Sequence, residues 1–382
     1  MFQALYNSLS GLFSFSRSLN TVSNNVANMN TPGFRGSDAF FSNVNGGRGT
    51  RISGEGLRTQ SGDIRQTGNV TDVAIDGEGY FMLRDPDGNV HYTRAGQFRF
   101  NEEGVLVDSV NGYEVMAYDQ SGSLVSIDMD DYRAIPAVAT TGVHLTGNIA
   151  SGSTTTAVNA ITVFDANGAS HTLTATFTNT GSGVFQVVVT DENGAQIGNG
   201  AVHFDASGLP ITGFNTITAN LSVAGATQAI VFNFGTPGTL DGMYSLNGAS
   251  SNLTARVDDG HGVLGATSMR FDEKGVLQFV YSASERRSGP QLALARFPNE
   301  SALQLDGGRL ISGASVTERE LGRPTQSGFG RIAGGSLEMS NVDLTQEFAD
   351  MIIIQRGYQA SSRVMSVSNE MLDQLYNSTR GG

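Results

Sequence analysis

SNVDLTQEFADMIIIQRGYQASSRVMSVSNEMLDQLYN, residues 340–377, carries the longest regular period in the chain. Leu344, Met351, Tyr358, Met365 and Leu372 recur every seven residues, and Phe348, Ile354, Leu375 and Tyr376 flank them. A repeat held over four heptads reads as an amphipathic helix with a coiled-coil-like seam. At ~1.5 Å per residue the helix is a rod about 50 Å long. Ser340, Asn341 and Asp343 are candidate caps for its start, and Ser340 with Asp343 has the spacing of a capping box. Such a seam needs a partner.

Residues 2–29 repeat the pattern at the other end. Leu5, Leu12, Leu19 and Val26 are seven apart, and Phe15, Val22 and Met29 add a second seam position. Thr31-Pro32-Gly33 should stop this helix, because proline biases the preceding residue away from α and glycine ends what remains. The two seams can pair within one chain or with neighbouring copies. Pairing within the chain still leaves outer apolar positions, such as Leu9 and Phe13 on one helix and Ile352, Val364 and Met371 on the other. The expected interface residues are Leu5, Leu12, Phe15, Leu19, Val22 and Val26, with Leu344, Phe348, Met351, Ile352, Tyr358, Met365 and Leu372.

Between the helices lie some 300 residues with almost no helical period. Residues 33–72, rich in Gly, Ser and Arg, read as an irregular linker with short strands. From Val73 the period becomes two. Leu173, Ala175 and Phe177 alternate with threonines, and Ile230, Phe232 and Phe234 repeat the pattern. These are half-buried antiparallel strands. A four-residue turn recurs as DPDG at 85, NEEG at 101, DQSG at 119, DANG at 165, DENG at 191, DASG at 205 and DEKG at 272. Asp or Asn caps such a turn through its side chain and Gly supplies the positive φ that closes it.

Charge thins out near 141, and DDGHGVLG at 258–265 marks a second change. The expected division is therefore an N-terminal helix (1–32), a linker (33–72), an inner β domain (73–141 plus 263–334), an outer β domain inserted into it (142–262), and a C-terminal helix (335–382). The fold class is α+β, mostly β, with the terminal helices forming a core of their own.

Composition excludes several functions. The 382 residues carry a formal charge of −13, which leaves too few cations to displace counterions from nucleic acid. The absence of cysteine removes disulfide frameworks, thiolate nucleophiles and Cys-ligated zinc. The opening residues lack the pattern of a cleaved Sec signal, and Met351–Ile354 is too short an apolar run to cross a bilayer. The histidines at 91, 144, 171, 203 and 261 are scattered, without the i,i+4 pairing of a metal site. Asp76 and Glu78 read as a turn rather than a glycosidase pair. None of the turn loops matches an EF-hand calcium loop. No catalytic residue, cofactor or metal is expected. An enzyme and a β-rich adhesin binding through 142–262 stay as competing classes, but the seams favour a self-assembling structural protein. Contacts through different patches on each copy build an open helical filament if the rotation does not close.

LSGLFSFSRSLNTVSNNVANMNTPGFRG at 9–36 resembles the N-terminal signature of flagellar rod and hook proteins, with Asn24, Asn25, Asn28, Thr31, Gly33 and Phe34 at its defining positions. SLEMSNVDLTQEFADMIIIQRGYQASSRVMSVSNEMLDQL at 336–375 is similar to their C-terminal signature, through Asn341, Asp343, Gln355, Arg356 and Gln359. TGNVTDVAIDGEGYFML at 67–83 and YTRAGQFRFNEEGVLVDSVNGYEV at 92–115 also resemble this family, and ITVFDANGASHTL at 161–173 resembles its hook branch. Rod members are shorter and lack an inserted domain of this size. The resemblance therefore implies the flagellar hook family (FlgE), with a rod-type subunit as the alternative. It implies export through the flagellar type III apparatus without a cleaved signal, and polymerisation outside the cell into a curved, flexible tube. That tube would transmit torque from rod to filament, with junction proteins and a hook cap as partners, no nucleic acid and no membrane insertion. Two departures stand out. Without cysteine the chain cannot form the Cys–Lys crosslink of one hook lineage, and MFQALYNSLSGLFSF is less Ala-rich than the pattern.

Overall fold

The computed structural model describes residues 2–44, 49–223, 225–298, 300, 303–306, 309–312 and 318–380. Helix α1 spans Phe2–Ala27 and helix α2 spans Leu344–Arg380. Among the described residues the regular structure between them is strand apart from one short helical turn at Asp130–Tyr132, so the chain is mostly β with one long helix near each end. It divides into two compact units, Met1–Tyr132 with Thr267–Gly382, and Arg133–Ala266.

In the first unit, strands from the two separated stretches share sheets. The largest sheet runs antiparallel through Ser268–Phe271, Val276–Val280, Arg286–Leu292, Glu114–Tyr118, Tyr80–Arg84 and Val90–Thr93. Leu292 pairs with Ala117, and Leu294 on the following strand pairs with Phe81, so the stretch after 267 is stitched directly to the stretch before 132. Tyr80, Met82, Tyr92, Phe297 and Ile311 fill one buried cluster. The Phe297 ring meets Tyr92 edge-on at 5.0 Å between centroids.

The linker expected to be irregular with short strands holds a regular hairpin and a third short strand. β1 (Ser37–Asn43) and β2 (Thr50–Leu57) form an antiparallel hairpin, with a register shift between Phe40 and Phe41. β3 (Ile64–Gln66) pairs with Ser336–Glu338, and β4 (Val73–Asp76) pairs with Arg331–Gly334. The hairpin has no core of its own. It is held by α1, whose Ser14 hydroxyl donates to the Thr50 carbonyl at 3.2 Å and whose Ser10 hydroxyl accepts from the Thr50 N–H at 3.2 Å. The hairpin shows little apolar alternation because Gly, Ser and Arg occupy many of its positions.

The second unit is dominated by a nine-stranded sheet, from Thr155–Phe164 through Ala226–Asn233 to Gly142–Asn148 and its neighbours, with a separate short pair of Ala134–Ile135 and Leu264–Gly265. The sheet curls back toward its Thr155–Phe164 edge. Gln228 donates one amide to the carbonyls of both Thr140 (2.7 Å) and Phe164 (3.0 Å). Inside, Leu173, Ala175, Phe177, Ile230, Phe232 and Phe234 are all fully buried, as the period-two pattern requires.

All seven Asp/Asn-x-x-Gly turns close in the same way. Each glycine has positive φ, from 72° at Gly275 to 88° at Gly88. In each, the first residue's side-chain oxygen accepts the N–H four residues on, at 2.7 Å for Asp85 to Asn89 and 3.0 Å for Asp205 to Leu209.

Candidate functional site

The two terminal helices run antiparallel in constant register. Asn25 on α1 lies against Glu347 on α2, Phe15 against Gly357, and Gly11 against Ser361. Each step of 10 or 14 residues back along α1 is matched by the same step forward along α2. The close approach depends on a glycine from each helix, Gly11 and Gly357. A Cβ on Gly11 would sit 2.9 Å from Ser361 Oγ, and one on Gly357 would sit 2.6 Å from the Phe15 ring.

The buried line of α1 is Ser8, Gly11, Ser14, Ser18, Thr21, Val22 and Asn25. The heptad leucines Leu5, Leu12 and Leu19, with Phe15 and Val26, lie half-buried along its edge; Val22 is buried. On α2, Leu344, Met351, Met365 and Leu372 are half-buried, whereas Phe348, Ile352 and Tyr358 are exposed. Glu347, Ile354 and Ser368 are buried instead. Two of the polar residues on the α1 line turn back onto the helix, Ser8 donating to the Ala4 carbonyl at 2.7 Å and Thr21 to the Arg17 carbonyl at 3.3 Å, whereas Ser14 and Asn25 bond the hairpin. Serine with its hydroxyl folded back onto the preceding turn presents a small, neutral surface. An apolar pattern cannot reveal such a face. The packed line thus runs beside the leucine heptads rather than along them.

At the base of the helix pair lies a buried polar lock. Asn25 Nδ2 donates to both Glu347 carboxylate oxygens at 3.2 Å and to the Ser37 carbonyl at 2.9 Å, and its Oδ1 accepts from the Ser37 N–H at 3.0 Å. Arg58 Nη1 reaches Glu347 Oε1 at 2.7 Å, and Nη2 reaches Asp38 at 2.8 Å. Burial opposes the charge on Arg58, but Asp38 and Glu347 outweigh it and hold the guanidinium above its ordinary pKa. Asn341 Oδ1 accepts from the Gly36 N–H at 2.8 Å, and its amide donates to the Gln60 carbonyl at 2.7 Å.

A second buried cluster lies next to it. Glu338 accepts from Arg94 Nε at 2.7 Å and from the Gly62 N–H at 3.1 Å, and pairs with Arg35 at 3.3 Å. Arg94 also donates to the carbonyls of Gly77 (3.0 Å) and Ile75 (3.1 Å). Burial outweighs Glu338 and pulls the Arg94 pKa below its ordinary value. Burial likewise pushes the Glu300 carboxyl up, against the pull of Arg35 and Arg94.

The signature residues divide into three groups. Asn25, Gly33, Phe34, Asn341 and Asp343 are used inside the chain. Gly33 sits at φ 71°, where a Cβ would lie 2.3 Å from the Ala95 nitrogen, and Phe34 is 1% exposed. Asp343 is the N-cap of α2, accepting from the Thr345 N–H at 2.8 Å, while Ser340 bonds only the Val342 N–H. Asn24, Asn28 and Thr31 close the end of α1 through one another, with Asn28 donating to the Asn24 carbonyl at 2.9 Å and accepting from Thr31 at 3.2 Å. Gln355, Arg356 and Gln359 are exposed and have no hydrogen-bond or ionic partner among the described residues.

No group of acidic, His or Cys side chains among the described residues is arranged to hold a metal. No described helix is long and apolar enough to cross a membrane. What the chain does expose is apolar helix surface: Phe2, Tyr6, Leu9 and Phe13 on α1, and Ile353, Val364, Val367, Met371 and Leu375 on α2. Surface of that kind marks contact with another macromolecule. A β-rich body whose paired terminal helices carry such surface defines a structural protein built for contact rather than catalysis.

The family described as Flagellar basal body protein FlaE D2 domain matches residues 134–346, more than half the chain. Flagellar hook protein FlgE/F/G D1 domain matches 74–156, Flagellar basal body rod FlgEFG protein C-terminal matches 333–378, and Flagella basal body rod protein matches 5–35. The chain is 30% identical to the flagellar hook protein FlgE of Brucella abortus biovar 1 over 97% of its own length and 98% of that protein's. It is 29% identical to the Escherichia coli (strain K12) protein of the same name and 28% to that of Borreliella burgdorferi, each match spanning 98% of this chain and 99% of the relative. The chain belongs to the flagellar hook protein FlgE family, whose members are structural proteins and not enzymes.

Proposed function

We propose that the chain polymerises through α1 and α2 into the tube of the flagellar hook, a curved and flexible joint that carries torque from rod to filament outside the cell. The observation that supports this most is the apolar surface left on the helix pair. α1 and α2 pack through small residues, so most of their large apolar side chains remain for other copies to cover. The helices, in coiled-coil-like contact with those of adjacent copies, form the inner wall. The β-rich remainder lies outside, in the inner (73–141 plus 263–334) and inserted outer (142–262) domains. Contacts between such polar β surfaces are weak enough to exchange as the tube bends. The heptad positions from Leu5 to Val26 and from Leu344 to Leu372 contribute their exposed edges to these contacts. Export proceeds through the type III apparatus without a cleaved signal, and the rod, the junction proteins and the cap are the partners of the finished tube.

A chain lacking 1–32 and 340–382 tests the reading. It is expected to fold its β units and stay monomeric where the full chain polymerises; ready polymerisation of the shortened chain would overturn the role given to the helices.

A further inference from the structure

On α2, Phe348, Ile352, Arg356, Gln359 and Arg363 follow at steps of four, four, three and four residues, which places them on one helix face. That face points away from Glu347, Ile354 and Ser368, the residues buried against the rest of the unit. Phe348 and Ile352 are about half exposed, and neither arginine has an ionic or hydrogen-bond partner among the described residues. The stripe is apolar at one end and carries two uncompensated positive charges at the other.

A groove of about 280 Å³ lies between α1, β1 and α2. Phe15, Phe41, Ile353 and Ile354 give it an apolar floor. Its charged lining is Asp38, Arg58 and Asp350, with Ser18, Thr21 and Ser37 as neutral polar groups. Asp38 and Arg58 are already paired with each other, whereas Asp350 has no partner among the described residues. Arg58 is also shared with Glu347, so the groove has negative charge to spare beside apolar surface, the complement of the stripe.

We propose that the stripe of one copy seats in the groove of a second copy, with Arg356 facing the second copy's Asp350 and Phe348 and Ile352 covering the apolar floor. The inference rests on the assembly reading above and names the two surfaces that meet. Apolar burial supplies the attraction, and the charge pair sets the register between copies. Stripe and groove are different surfaces, so the contact is heterologous and leaves one of each free at the ends of any chain of copies.

The test is a charge exchange in the full-length chain. Arg356→Glu and Asp350→Lys, each alone, are expected to raise the critical concentration for polymerisation at least about tenfold, and the two together to bring it back within about threefold of the parent. Single variants that polymerise like the parent, or a double variant no better than either single one, would overturn the pairing. If the parent chain itself never polymerises, the assembly reading falls first and this pairing with it. A cysteine pair gives an independent readout, because the parent has none. Positions 350 and 356 lie ~9 Å apart along one helix, beyond the ~7 Å reach of a disulfide. Polymers carrying Asp350→Cys and Arg356→Cys should therefore oxidise to a ladder of linked chains, and polymers giving no ladder would contradict the contact.

Discussion

Asn25 and Glu347, 322 positions apart in the chain, meet with both side chains fully buried and two hydrogen bonds of 3.2 Å between them. This contact sets the register of α1 on α2 and joins it to the hairpin through Ser37. Asn25→Ala leaves a buried carboxylate short of a donor and is expected to cost about 1–3 kcal/mol. Asn25→Asp places two carboxylates face to face and should cost more. Denaturant unfolding followed at α1 checks both, and an Asn25→Asp chain as stable as the parent would show that the contact does not hold the helices.

Glu338 compensates two buried guanidiniums, those of Arg35 and Arg94. Glu338→Gln keeps the shape and removes the charge, and breaking a buried pair in this way typically costs about 3–5 kcal/mol. The unfolding midpoint of the unit holding the helices should drop, while that of 133–266 should not move. Fluorescence probes placed separately in the two units distinguish the outcomes.

Gly33 combines positive φ with backbone atoms directly in the path of a side chain. Gly33→Ala is expected to destabilise by more than about 4 kcal/mol, the range that marks a severe local defect. Soluble yield and thermal midpoint measure it. By contrast, Gly213 has positive φ but open space around it, so Gly213→Ala should cost only about 1–2 kcal/mol.

Acid should loosen the turns. Hydrogen bonds from Asn89 and then His91 hold the Asp85 carboxyl down to about 2, and those from Thr236 and Thr239 do the same for Asp241. Both folded values lie below the ordinary 3.8. Their stabilising contribution is thus complete above about pH 4 and lost as pH falls through about 2. A thermal midpoint followed from pH 5 to pH 2 should decline, and Asp241→Asn should make the decline shallower. An unchanged slope in that variant would contradict the assignment.

Much of this fold was legible because its signals are local. The seven Gly turns, the alternation around Phe177 and Phe232, and the two terminal helices each follow from residues within a few positions of one another. The packed face of α1 was not legible, because Ser8, Ser14 and Ser18 are buried as small surfaces rather than as apolar ones. The β1–β2 hairpin was hidden for a related reason, since its stability comes from α1 rather than from its own side chains. The pairing of Asn25 with Glu347 and of Arg94 with Glu338 depends on chain stretches brought together only by folding. Asn25 carried a partial signal as one member of the N-terminal signature, whereas nothing near Glu338 in sequence announces two arginine partners.

Imaging the purified full-length chain by electron microscopy under polymerising conditions tests the central claim most directly. Hollow tubes that form curved as well as straight segments, built with α1 and α2 at the inner wall, are the expected result. Tubes that are uniformly straight and rigid would place the chain with rod-type subunits, and a chain that stays monomeric at all concentrations would contradict the account outright.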